Sequence, residues 1–396
     1  MTLTKLARTA VLAVAGLAAG PALADSTGVT DTTIKIGFVG SMTGPAAIWG
    51  SGNMAGATLA FEEINAAGGI NGRKIEFITV DDETSAPKGI AAFNRLVQSD
   101  KVFAVFGPSA SAVGVPMRDT LAKSGVPVMI PSFSSPLMTE PPIPNVFRSG
   151  TLNDRMQGRA IANYFVQNEK RDRIAILRQS DEYGAMGGNS VAERLKELGK
   201  PAVATEIFNA SDTDFTSQVL RVRAANPDAI VIYGYPAASA VVTRQLREMG
   251  IKADIIGSSA TSNQNYPQMV GKIGVGVKFV SNLAHLPESD YPPMVKFREA
   301  FQKRFPDLAR QNRPALGDVM GYGGALTMIE GLRLAGKDLT REGYVKALET
   351  FNPYDNKITP PNYFSATRRE GNITTQIAII KEDLSREVLP GVITGE

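Results

Sequence analysis

No cysteine occurs among the 396 residues, and histidine and tryptophan occur once each. The missing thiols exclude disulfide frameworks, thiolate metal sites, iron–sulfur clusters and cysteine nucleophiles. One imidazole, His285, excludes histidine-rich metal centres and leaves any histidine-based catalysis resting on a single side chain. It sits in a connecting stretch, 282–289, with no serine–histidine–acid pattern around it, and reads as a linker residue. A membrane-length apolar run is missing too: Ala10–Ala19 is far shorter than the ~20 residues a span requires. Charge of one sign is also absent. Lys plus Arg is 42 against 39 for Asp plus Glu, and the basic residues are dispersed, so there is no nucleic-acid face. Neither G-x-G-x-x-G nor G-x-x-x-x-G-K-[ST] occurs, so the usual cradles for nucleotide phosphates are missing. Asp81-Asp82-Glu83 reads as a solvated turn or hinge contact, because consecutive side chains point different ways. The sequence therefore implies no metal and no cofactor, and disfavours an enzyme.

What is present is ordinary globular composition, 43% hydrophobic and 20% charged, at a length that suits two domains. Residues 1–24 have the form of a secretory leader. Lys5 and Arg8 precede the short apolar run, and Pro21 leads into Ala22-Leu23-Ala24, a small-residue cleavage site. Cleavage before Asp25 removes two positive charges and takes the formal net charge from +3 to +1. The expected location is the periplasm. Residues 25–33 read as a polar linker.

Strands and helices then alternate. Ile34–Val39, Lys74–Val80, Val102–Phe106 and Val126–Ile130 have strand character, and 53–67, 87–99 and 111–123 carry helical stripes. The pattern restarts near 148–153. Strands are expected at 173–177, 202–208, 229–233 and 254–257, with helices at 154–167, 187–198, 215–225 and 238–249. Helical stretches follow at 293–304, 314–335 and 341–349, and a strand at 375–380. Such alternation gives an α/β protein with open parallel sheets covered by helices on both faces. In these sheets a ligand sits beyond the carboxyl ends of the strands. Those ends carry Trp49 in the loop after the first strand, and then Ser109, Ser111, Phe133 and Ser134. In the second unit they carry Tyr183, Tyr235 and Ser259. Hydroxyls at helix starts can hold an anion. The arrangement predicts a cleft with a polar anchor on one wall and aromatic rings on the other.

Several segments, in order, carry a resemblance. They are "IKIGFVGSMTGPAAIWGSGNMAGATLAFEEINAAGG" from Ile34, "FGPSASAV" with "VPVMIPSFSSPLMT", "DEYGAMGGNSVAERLKEL", "DTDFTSQVLRVRAANPDAIVIYG" and "GYGGALTMIEGLRLAGKDLTREGYVKALE". Together they resemble the Leu/Ile/Val-binding family, the periplasmic solute-binding proteins of branched-chain amino acid ABC transporters. The resemblance implies two Rossmann-like lobes with parallel sheets joined by a three-segment hinge, the type I periplasmic binding protein fold. It implies 34–148 plus 286–352 as lobe 1 and 153–280 plus 356–396 as lobe 2. The hinge segments would lie near 149–152, 281–285 and 353–355. It further implies delivery of the ligand to a membrane permease and its ATPase.

By the same resemblance, Ser111 and Ser109 would hold a ligand carboxylate, with Ser134 in a similar role and Phe133 beside it. Trp49 would lie along the ligand, and Tyr183 and Tyr235 would close over it. Ser259 falls about where amino-acid binders of the family place an acid. A buried ammonium without a paired charge is costly. Either another acid serves, with Asp181, Glu182 and Asp318 as candidates, or the ligand has no ammonium. The expectation is a small carboxylate with an apolar or aromatic body. The alternatives are a branched-chain or other amino acid, an amide or urea sensor, and a receptor's ligand-binding domain.

Overall fold

The computed structural model describes residues 25–395; the expected leader lies outside the described residues. Two sheets organise it. The first holds β1 (Thr33–Gly40), β2 (Lys74–Asp81), β3 (Ala104–Phe106), β4 (Val128–Ile130) and β5 (Val146–Arg148), all parallel, in the order β2-β1-β3-β4-β5. The second holds β6 (Ile174–Gln179), β7 (Ala204–Phe208), β8 (Ala229–Tyr233), β9 (Asp254–Gly257) and β10 (Lys278–Ser281) in the equivalent order. Two C-terminal strands, β11 (Gln376–Ile380) and β12 (Arg386–Val388), extend its edge antiparallel. The central strands β3, β4 and β8 are buried along their whole length, as strands covered on both faces must be.

The helices α1 (Ala47–Ala66), α2 (Ala86–Gln98) and α3 (Ser111–Ser124) connect the first sheet, and α4 (Asp154–Asn163), α5 (Glu182–Glu197), α6 (Thr216–Ala224), α7 (Pro236–Glu248) and the short α8 (Tyr266–Val270) serve the second. Later come α9 (Pro292–Arg304), α10 (Pro306–Ala309), α11 (Leu316–Leu334) and α12 (Arg341–Leu348). Leu283, Met294 and Phe297 pack with Ala55 and Leu59 of α1, and Met328 and Tyr344 share a core with Phe38 and Phe106. So these later helices return to the first body. No helix among the described residues is long and apolar enough to cross a membrane.

The chain passes between the bodies three times. The first passage follows β5 and the second follows β10. The third was expected near 353–355, and the structure places it later. Phe364 still packs edge-on against Phe147 of β5 at 5.1 Å, and Glu370 bridges to Arg148 beside the first sheet. The chain enters the second sheet only at Gln376. Arg148, fully buried, pairs with Glu370 at 2.8 Å, and Asn153 and Thr139 donate to the same carboxylate. This ties the first and third passages together.

One helix pair positions much of the cleft. Gly52 and Gly56 of α1 meet Gly317 and Gly321 of α11 in direct backbone contact. A Cβ on Gly56 would overlap the carbonyl oxygen of Asp318, and one on Gly321 would overlap the backbone of Asn53. Backbone cannot yield as a flexible side chain can. Gly56→Ala is therefore expected to cost about 3 kcal/mol. Calorimetry should show a melting temperature lower by roughly 5–10 °C.

Candidate functional site

Both sheets share the strand order in which the connections reverse direction between the first and third strand of each unit. A crevice opens at that switch point, and ligands bind there. Here β1 and β3 present one wall and β6 and β8 the other. Between them lies a cavity with an empty volume of about 420 Å³, solvent at its mouth included. All eight residues expected from the sequence line it: Trp49, Ser109, Ser111, Phe133, Ser134, Tyr183, Tyr235 and Ser259. Ser132, Thr151, Asn282, Leu316 and Met320 line it as well and were not anticipated. His285 lies outside it, exposed and stacked on Tyr291 with ring centres 3.8 Å apart.

The first wall is built on α3. Ser109 accepts from the backbone N–H of Ser41 at 2.9 Å, which leaves its own proton available. Ser111 starts α3, is almost fully buried, and its hydroxyl meets no partner among the described residues. The first N–H groups of a helix lack intrahelical acceptors and carry partial positive charge. This part of the lining offers donors, which suits a carboxylate. The loop before α1 is fastened by Asp82, which accepts from the Ser41 hydroxyl at 2.6 Å, and by Asp81, which accepts from Met42 N–H and the Thr43 hydroxyl. The acidic run is thus a structural turn, and no metal-binding group of three occurs among the described residues.

Trp49 stands on the first turn of α1 rather than in the loop before it, because the helix begins at Ala47. Gly50 permits this: a Cβ there would strike the backbone of Ser41. The indole lines the cavity and packs against core clusters of both the second body and the first, so it bridges the cleft. On the second wall, Tyr183 and Tyr235 stack nearly parallel with ring centres 5.2 Å apart. Gln179 arranges them: its amide accepts from Tyr235 N–H and donates to Asp181, whose carboxylate caps α5 beneath Tyr183. Ser259 donates its backbone N–H to Gln157 at 2.8 Å.

None of the three acids considered as a counter-charge lines the cavity. Asp318 is buried against Arg313 and the N–H of Ala315, and Asp181 is occupied as the helix cap. Glu182 lies in the first turn of α5. A buried acid that touches the cavity lining is one the sequence did not reveal. Asp154, fully buried at the start of α4, accepts from the hydroxyl of Ser134 at 2.9 Å and of Tyr233 at 2.7 Å, both on Oδ1. Its Oδ2 is buried without a partner. Burial pushes this carboxyl up to about 7, opposed by the two hydroxyls and the charge of Arg148. Because Ser134 gives its proton to Asp154, it turns lone pairs toward the cavity. Ser134, expected to help hold a carboxylate, is by this geometry an acceptor.

Residues 33–383 match the sequence profile of the family described as periplasmic binding protein. Among curated relatives, the Leu/Ile/Val-binding protein homolog 3 of Brucella melitensis is 29% identical over 83% of this chain and 87% of its own length. The leucine-, isoleucine-, valine-, threonine-, and alanine-binding protein of Pseudomonas aeruginosa is 30% identical over 71% of each chain. Among solved structures, a periplasmic binding protein type 1 from Bordetella pertussis Tohama I superposes with a TM-score of 0.78. It is 26% identical and covers 91% of this chain and all of its own.

Proposed function

The chain belongs to the periplasmic binding protein family, and from that premise we propose that it captures an α-amino acid in the interlobe cavity and delivers it to the permease of an ABC importer. The observation that carries this reading is that the cavity lining offers both hydrogen-bond donors and an acceptor backed by a buried acid. Ser109, Ser111 and the start of α3 offer donors to a carboxylate. Ser134 offers an acceptor backed by the buried carboxylate of Asp154, which suits an ammonium. A simple aromatic or apolar acid would leave that acceptor unmatched. The relatives named for leucine, isoleucine and valine support the amino-acid reading over the aromatic-acid one. Their names describe binding proteins, which supports a role in binding.

Mechanism follows from the two walls. The first body supplies the carboxylate anchor, and the second adds Tyr183 and Tyr235 and excludes water. Ligand binding shifts the open–closed equilibrium by its difference in affinity for the two states. The closed form would dock on the permease, in the periplasm. Native mass spectrometry of protein purified without unfolding tests the ligand class. The expected result is a bound mass equal to one amino acid, released on denaturation. A bound aromatic acid would overturn the reading.

A further inference from the structure

We propose that Asn282 is a specificity-determining residue that recognises a hydrogen-bonding group at the end of the ligand's side chain. The inference rests on the amino-acid reading above and extends it to the side chain. Asn282 sits in the second passage between the bodies, directly after β10, and is 4% exposed while lining the cavity. Its partners are poor. The Thr375 hydroxyl approaches Oδ1 only at 3.5 Å and is spent on the carbonyl of Ser281 at 2.8 Å. Its Nδ2 meets no acceptor among the described residues. A buried primary amide in that condition is a site waiting for a partner.

The groups for the α-carboxylate and the ammonium are supplied elsewhere, so Asn282 is free to meet the side chain. Thr151, from the first passage, lines the same cavity, with its hydroxyl only 3.4 Å from the carbonyl of Pro131. The part of the cavity formed by the passages is therefore polar, whereas Trp49, Leu316 and Met320 are apolar. A carboxamide turned about its last bond exchanges donor and acceptor. It can serve a hydroxyl or an amide equally, but a methyl group leaves it unpaired. Sites built this way discriminate strongly against the analogue that lacks the polar group.

Three near-isosteric pairs test this by calorimetry on the full chain: threonine with valine, asparagine with leucine, and glutamine with methionine. The expected result is that the polar member of at least one pair binds roughly tenfold tighter or more. Asn282→Leu should abolish or reverse that preference, with the melting curve confirming a folded variant. Tighter binding of the aliphatic member in all three pairs overturns the proposal even if the variant fails to fold, and so does a preference that survives in Asn282→Leu. Binding of none of the six would instead overturn the amino-acid reading, and this proposal with it.

Discussion

Asp154→Asn is expected to weaken binding of an α-amino acid by roughly a hundredfold and to remove its pH dependence. The substitution keeps the size and an acceptor oxygen for Ser134 and Tyr233 but deletes the charge. At roughly 5–6 Å and an effective dielectric near 20, that charge contributes about 3 kcal/mol to an ammonium. The sign of the pH effect follows from the buried carboxyl near 7. A bound ammonium favours the ionised form, so ligand and proton compete for Asp154. Affinity should be flat above pH 7 and fall below it, approaching tenfold per unit. The unliganded protein should show the complementary trend. Its folded state holds this proton more tightly than the unfolded chain does. Asp154 therefore contributes a loss of stability as pH rises from about 4 to about 7, by up to about 4 kcal/mol. Calorimetric titrations between pH 5 and 8 check the first effect, and melting without ligand checks the second. Wild-type affinity that does not change across that range would remove Asp154 from the site.

Trp49→Ala should cost a comparable amount, roughly 2–4 kcal/mol of binding energy, or about 30- to 1,000-fold in Kd. The indole lines the cavity and packs against core clusters on both sides of the cleft. Its loss removes ligand contact and the bridge that completes closure together. Small-angle scattering should show wild type contracting on ligand addition and the variant remaining extended at the same ligand concentration. Contraction of the variant with unchanged affinity would show that the indole is ordinary core.

The alternation of strands and helices was legible because each element repeats its apolar residues at its own period. That these eight residues line one cavity was legible because strand ends converge at a switch point wherever the sheets are open and parallel. Three things were not legible. Strands β5 and β10 carry Arg148 and Lys278 within three and four residues, so they lack the continuous apolar run that marks β3 and β4. The third passage was misplaced because the residues that hold 354–364 to the first body find their partners far away in sequence, Phe364 against Phe147 and the Tyr354 hydroxyl on the carbonyl of Leu326. Asp154 was hidden because an acid at a helix start looks like a cap. Asn153 is the residue that caps, accepting from Met156 N–H, which leaves Asp154 free to serve the cavity wall.

The central claim is that the cavity recognises both charged groups of an amino acid at once. Trp49 is the chain's single tryptophan and lies at the closing surface, so its fluorescence reports occupation directly. The most direct test titrates leucine and threonine against isocaproate and hydroxybenzoate, which keep the carboxylate but lack the ammonium. The predicted result is saturable change at low concentration with an amino acid, and affinity at least a hundredfold weaker for both acids. Equal or tighter binding of isocaproate or hydroxybenzoate would contradict the account.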